Sequence, residues 1–207
     1  MNSDVSTLAE WIASSPSTVF FGGAGVSTES GIPDFRGANG FYFQEREIPL
    51  ETVLSIDFFE RHPQAYWEWF QEIYRPVEPN GAHRALASLE AAGRLDAVIT
   101  QNIDGLHQRA GSRAVWELHG NWERLVCTSC GAVASLGDAV TVDGDPVPAC
   151  PSCASQMRPD IVMYGESLDQ GVIEAAVSAI ARASTLIVAG TSLVVYPAAG
   201  LINYFSG

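Results

Sequence analysis

The sequence has 207 residues, of which 47% are hydrophobic and 17% charged, as is usual for a globular chain of one domain with at most a small satellite. With 11 basic against 24 acidic residues the net charge is −13, which disfavours nucleic acid as a partner and suits lysine-rich, cationic segments. No apolar run is long enough to cross a bilayer, and the first 15 residues lack the basic residues of a signal peptide. We therefore expect a cytoplasmic protein without a membrane or nucleic-acid partner.

Apolar residues at helical spacing near the N-terminus predict a first helix, and residues 17–21 then form a β-branched and aromatic run typical of a buried strand. The glycine-rich turn Gly22-Gly23-Ala24-Gly25 follows this strand directly. It matches the dinucleotide fingerprint in part, because Thr28 stands where a third glycine is expected. We expect the turn to hold a pyrophosphate through backbone N–H groups and the positive end of a following helix.

Residues 37–79 show no strand pattern but contain aromatic clusters and an amphipathic helix over residues 66–74. This pattern predicts a helical insertion beside the glycine-rich turn, and we interpret its aromatic side chains as core. A further helix is predicted over residues 82–92, ending at Gly93. His83 near its start is interpreted as a capping or packing residue.

Polar groups follow three further predicted strands. Residues 95–100 lead into Gln101-Asn102-Ile103-Asp104, residues 114–118 into His119, and residues 185–189 into Gly190-Thr191-Ser192. Because the carboxyl ends of parallel strands share one edge of a sheet, these motifs and the glycine-rich turn should converge on one site. An alternative reading of Asp104 alone is a helix cap. The pattern also predicts one more extended segment over residues 160–164 and a helix over residues 173–183.

Four cysteines form two Cys-x-x-Cys pairs, separated by 19 residues, with the members Cys127, Cys130, Cys150 and Cys153. This spacing predicts one tetrahedral zinc site, and four thiolates leave no open position for catalysis, so the metal is expected to be structural. The intervening segment is rich in Gly and Pro and is expected to need the metal to fold. A redox dithiol pair and a nucleic-acid-binding zinc ribbon are the alternatives. The absence of Lys and Arg from residues 127–153 disfavours the second.

Six blocks, in this order and spacing, resemble the sirtuins, the NAD-dependent protein lysine deacylases, in particular the bacterial and archaeal type. They are residues 23–36, 100–107 and 118–120, the cysteine pairs, and residues 158–166 and 190–199. The resemblance implies an α/β fold, a Rossmann-like doubly wound parallel sheet with a small zinc-ribbon module and a helical insertion. The implied domains are residues 1–36, 80–122 and 158–207 for NAD binding, 37–79 for the insertion and 123–157 for the zinc module.

The resemblance also implies a reaction that consumes NAD. The acetyl oxygen of acetyl-lysine attacks C1′ of the nicotinamide ribose, nicotinamide leaves, and hydrolysis gives lysine and acetyl-ADP-ribose. His119 would be the general base toward a ribose hydroxyl, since an imidazole both accepts and returns a proton near neutral pH. Asn102 would order the ribose or the attacking water. Asp104, with Ile103, would hold the nicotinamide carboxamide.

By the same resemblance further residues receive binding roles. Phe35 would cover the nicotinamide and exclude water, and Gln101 would contact ribose. The dinucleotide path would also involve Gly23, Ala24, Gly25, Ser27, Arg36, Gly190, Thr191 and Ser192. Val162 and Tyr164 would line the acyl-lysine tunnel. The peptide would lie as an added strand between Gly165-Glu166 and Val194-Val195.

Two departures from family patterns carry expectations. Sirtuins have a strand and a helix after the block that ends at residue 199, whereas this sequence stops at Gly207, so we expect a truncated chain whose adenosine pocket lacks one wall. Sirtuins that prefer succinyl- or malonyl-lysine carry a Tyr-x-x-Arg pair in the helical insertion, and no Tyr in this sequence has Arg three places on. Alignment places the apolar residues Phe70 and Ile73 at those positions.

The leading functional hypothesis is therefore NAD-dependent protein lysine deacetylation, with NAD as co-substrate, structural zinc and acetylated proteins or peptides as substrates. The alternatives are mono-ADP-ribosyl transfer, which uses the same loss of nicotinamide, and a module that binds NAD or acyl-lysine without catalysis. A hydride-transferring dehydrogenase is disfavoured by Thr28 and by the lack of an acidic residue that would bind ribose after the next strand.

Overall fold

The computed structural model describes residues 3–35, 37, 40, 48–139, 141 and 144–207. None of the helices in these ranges has the length and apolar character needed to cross a bilayer. The helices and strands are, in chain order, α1 (Ser3–Ser14), β1 (Thr18–Gly22), α2 (Leu50–Val53), α3 (Ile56–Arg61), α4 (Pro63–Ile73), α5 (Gly81–Ala91), β2 (Ala97–Thr100), α6 (Leu106–Arg109), β3 (Val115–Glu117), β4 (Gly120–Cys127), β5 (Val133–Ser135), β6 (Met157–Ile161), α7 (Gln170–Arg182) and β7 (Thr185–Ala189).

A four-stranded parallel sheet in the order β3-β2-β1-β7 forms the larger layer of the fold. The side chains of β1 alternate between its two faces, as the strand period requires. Val19 and Phe21 pack with α7 on one face, whereas Phe20 packs with Leu86 of α5 on the other. Helices therefore cover both faces of the sheet, and the predicted doubly wound α/β fold is confirmed.

The predicted helical insertion is present as α2, α3 and α4. Ser55 caps α3 by accepting a hydrogen bond from Phe58 N–H at 3.2 Å, and Pro63 begins α4 at a position where its missing donor costs nothing. On α4 the rings of Tyr66, Trp67 and Phe70 are buried and contact one another edge-on or stacked. These aromatic side chains are core, as interpreted from the sequence.

A second, antiparallel sheet has the order β5-β4-β6, with Cys127 at the end of β4 and the other three cysteines in turns and loops next to its strands. Its inward face shares one apolar cluster with the helical insertion, to which Leu125, Met157, Cys127 and Cys150 contribute as buried members. The sequence predicted a module with too little apolar content to be stable without metal. In the structure, aromatic side chains of α3 and α4 pack against this sheet and share its apolar cluster. This packing is a further source of stability, and the predicted range of the zinc module did not include it.

Residues 158–161 lie in β6 and pair with β4 in the second sheet. The division of the chain into domain ranges stays a prediction. Two local features differ from their predictions. β7 was expected to be buried, but it is an edge strand of the parallel sheet and Val188 on it is 40% exposed. The glycine-rich turn is followed by two 3₁₀ turns, Ala24–Val26 and Thr28–Ser30, in place of an α-helix.

Candidate functional site

A cavity of about 680 Å³ opens at the carboxyl edge of the parallel sheet, between this sheet and the helical insertion. Its wall includes most of the side chains that the sequence pointed to. These are Gly23, Ala24, Gly25, Ser27, Phe35, Gln101, Asn102, Ile103, Asp104, His119, Val162, Tyr164, Gly165, Glu166, Gly190, Thr191, Ser192 and Val195. Of the remaining two, Val194 lies outside this wall and is 52% exposed, and Arg36 falls outside the described residues.

The glycine-rich turn packs directly against the turn after β7. A side-chain carbon on Gly23 would lie 2.8 Å from Cβ of Thr191, and one on Gly25 would lie 2.9 Å from Cα of Gly190. Gly25 N–H also donates to Gly190 O at 2.8 Å, and Gln101 Nε2 donates to Thr191 Oγ1 at 2.9 Å. Glycine is thus required here because two backbone turns touch, which places three strand ends within hydrogen-bonding reach.

This packing changes the expected way in which a pyrophosphate would be held. The N–H groups of Val26 and Ser27 donate to Gly23 O and Ala24 O within the first 3₁₀ turn, and that of Gly25 is bonded to Gly190 O. These three donors are therefore engaged by the protein, so a phosphate held by this turn, as the sequence predicts, would have to use other N–H groups.

A buried polar network lies under the cavity floor and joins two strand ends. Ser27 Oγ donates to Asp104 Oδ2 at 2.6 Å and accepts from Asn102 Nδ2 at 3.0 Å. The three side chains are between 1% and 9% exposed. Asp104 Oδ1 also accepts from the N–H of Leu106, the first residue of α6, at 3.0 Å, although the N-cap position itself is held by Gly105. The Asp104 carboxylate thereby orders the start of α6 and the Ser27 hydroxyl, and through that hydroxyl the Asn102 amide.

His83 contacts this network through Ser27. Its Nδ1 accepts from Asn80 N–H at 3.3 Å in a capping box at the start of α5, and Nε2 lies 3.5 Å from Ser27 Oγ. Because Nδ1 accepts, the hydrogen of the neutral ring is on Nε2. Burial lowers the pKa of His83, although the charge of Asp104 acts in the opposite direction. The interpretation of His83 as a capping and packing residue agrees with this geometry.

His119 lies in the tight connection between β3 and β4, where the chain passes from one sheet to the other. Leu118 N–H donates to Thr100 O at 2.9 Å, and Val162 N–H donates to the carbonyl of His119 at 2.9 Å. Gly120 then adopts φ +79°, and a side chain there would overlap the carbonyl of Asp160. The backbone around His119 is therefore fixed by both sheets.

The ring of His119 has a defined tautomer. Nδ1 lies 2.8 Å from the carbonyl oxygen of Gln101, and because a carbonyl accepts, Nδ1 carries the hydrogen and Nε2 keeps a lone pair. Burial lowers the pKa of His119 and outweighs the bond to the Gln101 carbonyl, which raises it. At neutral pH the ring is consequently uncharged and able to accept a proton.

The helical insertion contributes an apolar wall, in which the sequence had interpreted the aromatic side chains other than Phe70 as core. Tyr66, Trp69, Phe70 and Ile73 of α4 line the cavity, together with Trp122 of β4. Their spacing of three and four residues places the α4 members on one face of the helix, so this stripe was the signal that could have identified them. Phe70 and Ile73 are the two positions that the sequence alignment singled out.

The four cysteine sulfurs form a compact group. All lie within 4.8 Å of one another, with Cys127 Sγ 3.5 Å from Cys153 Sγ and Cys130 Sγ 3.7 Å from Cys150 Sγ. A tetrahedral zinc with Zn–S bonds of about 2.3 Å requires sulfur separations of roughly this size. The donor set therefore fits a structural zinc ion and offers no fourth position for water. The backbone N–H groups of Ser129 and Cys130 also point at Cys127 Sγ, as suits a thiolate.

We expect one zinc ion per chain, measured by elemental analysis of the purified protein. Removing it with a chelator should expose the amides of residues 127–153 to hydrogen exchange before those at the edge of the parallel sheet, because the metal is the link between the two cysteine pairs. Active protein with clearly less than one zinc per chain would contradict the assignment, as would exchange that begins at the edge of the parallel sheet.

Comparison with known proteins places this geometry in a family. The sequence model of the Sir2 family matches residues 23–197. The chain belongs to the Sir2 family. The NAD-dependent protein deacetylase of Clostridium acetobutylicum is 49% identical over 207 residues, which cover 98% of this chain and 84% of that protein. The NAD-dependent protein deacetylase of Cutibacterium acnes is 50% identical over 204 residues, covering 97% and 82%.

Solved Sir2 structures share the fold over nearly the whole chain. A Sir2 complex with a p53 peptide and NAD+ has a TM-score of 0.84 at 44% identity and covers 96% of this chain and 80% of that one. Sir2Tm bound to a propionylated peptide has a TM-score of 0.85 at 42% identity and covers 99% and 81%. The predicted membership of the sirtuins and the predicted fold are thereby confirmed.

Proposed function

We propose that this Sir2 protein is an NAD-dependent protein lysine deacetylase, which releases nicotinamide and transfers the acetyl group of acetyl-lysine to ADP-ribose. One observation carries the proposal. A neutral imidazole, that of His119, lines a cavity with a polar network at the sheet edge and an apolar wall from α4. Two relatives, 49% and 50% identical and covered to 84% and 82% of their own length, have the name NAD-dependent protein deacetylase.

His119 is proposed as the general base. Its Nδ1–H is held by the Gln101 carbonyl, so Nε2 is the atom that can take a proton from a ribose hydroxyl and later return it. The bond to a fixed carbonyl both selects this tautomer and prevents the ring from rotating. Asn102 is proposed to order the ribose or water from its position in the floor network, where Ser27 accepts one of its amide hydrogens.

The sheet edge is proposed as the NAD site. NAD, when bound, supplies a ribose carbon whose nicotinamide can be displaced. Gln101 and Thr191, bonded to each other, and the adjoining Ser192 present polar groups along this edge. Ile103 and Asp104 would hold the nicotinamide carboxamide, and Phe35 would exclude water above it. The remaining residues proposed to line the path are Gly23, Ala24, Gly25, Ser27, Arg36 and Gly190.

The acetyl-lysine side is proposed to lie along the part of the cavity wall to which residues 162–166 and Val195 contribute. An extended peptide between these two segments would add as a strand and direct its acetyl-lysine toward the apolar wall of α4. Val162, Tyr164, Gly165, Glu166, Val194 and Val195 are the residues proposed for this role. We also propose a reducing compartment, the cytoplasm, because thiolates that hold zinc would form disulfides under oxidising conditions.

The test is to incubate the protein with NAD and a peptide that carries one acetyl-lysine, and to follow nicotinamide and the peptide mass. Deacetylation predicts release of nicotinamide with loss of one acetyl group from the peptide. A gain of ADP-ribose on the peptide or on a protein would show the transferase alternative. If the protein binds NAD or the peptide measurably but releases no nicotinamide, the non-catalytic alternative is correct.

The pH dependence of kcat/KM is a second test of the proposed base. His119 must be neutral to accept a proton, so activity should fall as the pH drops through its pKa. Because burial lowers that pKa from its ordinary value of 6.5, the acidic limb is expected below pH 6.5. Kinetics over about pH 5 to about pH 8 would locate the limb. A midpoint clearly above the ordinary value would contradict the assignment of His119 as a buried, neutral base.

A further inference from the structure

The loop of residues 162–166, which follows β6, is tied to two separate parts of the protein. Val162 N–H donates to the carbonyl of His119 at 2.9 Å. On the other side Tyr164 N–H donates to Leu54 O at 2.9 Å, and Tyr164 O accepts from Ile56 N–H at 3.0 Å. The loop therefore spans from the turn that carries His119 to the helical insertion, along the cavity wall.

Glu166 at the end of this loop turns its carboxylate toward the protein. Arg158 on β6 binds it with two parallel bonds, Nη1 to Oε1 at 2.7 Å and Nη2 to Oε2 at 2.6 Å. Met163 N–H donates to Oε2 as well, at 2.9 Å. Both carboxylate oxygens are thus engaged inside the protein, and the negative charge is balanced by the guanidinium.

Arg158 is itself held in place on three sides. Its Nη2 also donates to Ile161 O at 2.9 Å, and its guanidinium carbon lies 5.8 Å from the centre of the Phe59 ring. The side chains of Arg158 and Glu166 are 18% and 26% exposed. Burial raises the pKa of Glu166, but the bonds from Arg158 and Met163 outweigh it and leave the pKa below its usual value. The pair therefore stays charged at neutral pH.

We propose that Arg158 and Glu166 are positioning residues for the acyl-lysine substrate. They close the loop of residues 162–166 into the shape that receives the peptide, and Glu166 acts through this loop and not by attracting a cationic peptide itself. The inference rests on the proposed function, because it assigns the loop to peptide binding. It gives Glu166 a role different from the direct contact that the family resemblance implied.

The test is a double-mutant cycle with Glu166→Gln, Arg158→Gln and the double variant. Each single variant is expected to raise the peptide KM by about tenfold, the loss expected for a charge-assisted bidentate contact, with kcat and the NAD KM within about twofold. The double variant should be no worse than the worse single one, because the two side chains act as a pair. Glu78→Gln, which removes an exposed pair with Arg109, is the matched control and should change nothing.

Other outcomes would overturn the proposal. An unchanged peptide KM in the single variants would do so. Effects on KM that add up in the double variant and occur only with cationic peptides would also do so, because they indicate that Glu166 attracts the peptide directly. If Glu166→Gln folds poorly, Arg158→Lys keeps the charge but not the two parallel bonds, and an unchanged KM in that variant would also overturn it. Peptide binding measured by fluorescence anisotropy gives the same comparison without turnover. A wild-type protein that binds peptide but releases no nicotinamide would therefore reject the deacetylase proposal and leave this test intact.

Discussion

Replacing His119 with alanine is expected to lower kcat/KM for an acetylated peptide by roughly 10²–10⁴-fold, the usual contribution of a positioned general base. The fold should survive, because Leu118, Val162 and Gly120 fix the surrounding backbone through main-chain contacts that do not involve the imidazole. The loss of the bond between Nδ1 and the Gln101 carbonyl costs about 1 kcal/mol of stability. Steady-state kinetics and thermal unfolding on the same preparation would separate the two effects.

His62→Ala provides a matched control for this experiment. His62 is exposed, and at the start of α4 its side chain makes no capping hydrogen bond, so its removal should leave kcat/KM near the wild-type value. Near-normal turnover in a folded His119→Ala protein would reject the proposed base. A comparable loss in His62→Ala would show that the effect is not specific to the imidazole in the cavity.

The second large effect concerns the acyl group. We expect kcat/KM to favour acetyl-lysine over succinyl-lysine by at least ~10²-fold, the scale expected when a buried charge has no partner. Phe70 and Ile73 line the cavity and offer neither a phenol nor a guanidinium to a second carboxylate. Arg158, which lies near Tyr66, is already bound by Glu166 with two bonds. Arg75 donates to the carbonyls of Gln71 and Tyr74.

The experiment uses one peptide sequence with acetyl-, propionyl- or succinyl-lysine and NAD in excess. The propionyl peptide is the control for size, and it should be turned over far better than the succinyl peptide because it adds length without charge. The combined changes Phe70→Tyr and Ile73→Arg should then raise succinyl turnover relative to acetyl, since they supply both groups that a buried carboxylate requires. Equal or better turnover of the succinyl peptide by the unaltered protein would show that another cation, such as Arg36, reaches the cavity.

Short-range patterns accounted for most of the secondary structure and for the convergence of the site. β1, β2, β3 and β7 each follow from a compact apolar run, and a polar residue comes within two positions of the end of β2, β3 and β7. Their meeting at one edge needs no further information, because it is a property of every parallel sheet. The sulfur cluster was predictable for a similar reason, since two Cys-x-x-Cys pairs restrict the ligand geometry strongly.

The parts that the sequence did not predict depend on contacts between distant segments. The glycine-rich turn was expected to offer N–H groups to a phosphate, but the approach of Gly190 engages that of Gly25. Burial of Cys127 against the helical insertion, and the pairing of β6 with β4, likewise involve residues far apart in the chain. No local pattern records such contacts, because they arise when whole elements pack.

The sequence by itself determined the family and predicted that the polar residues after the parallel strands lie together at one cavity, while their roles there stay a prediction. Only the tertiary structure decided what several of these residues do with their polar atoms. Asp104 accepts from both the Leu106 N–H at the start of α6 and the Ser27 hydroxyl, and His119 is fixed in one tautomer by the Gln101 carbonyl. A side chain's residue type limits which bonds it can make, but the bond it makes depends on which groups the fold brings within about 3 Å.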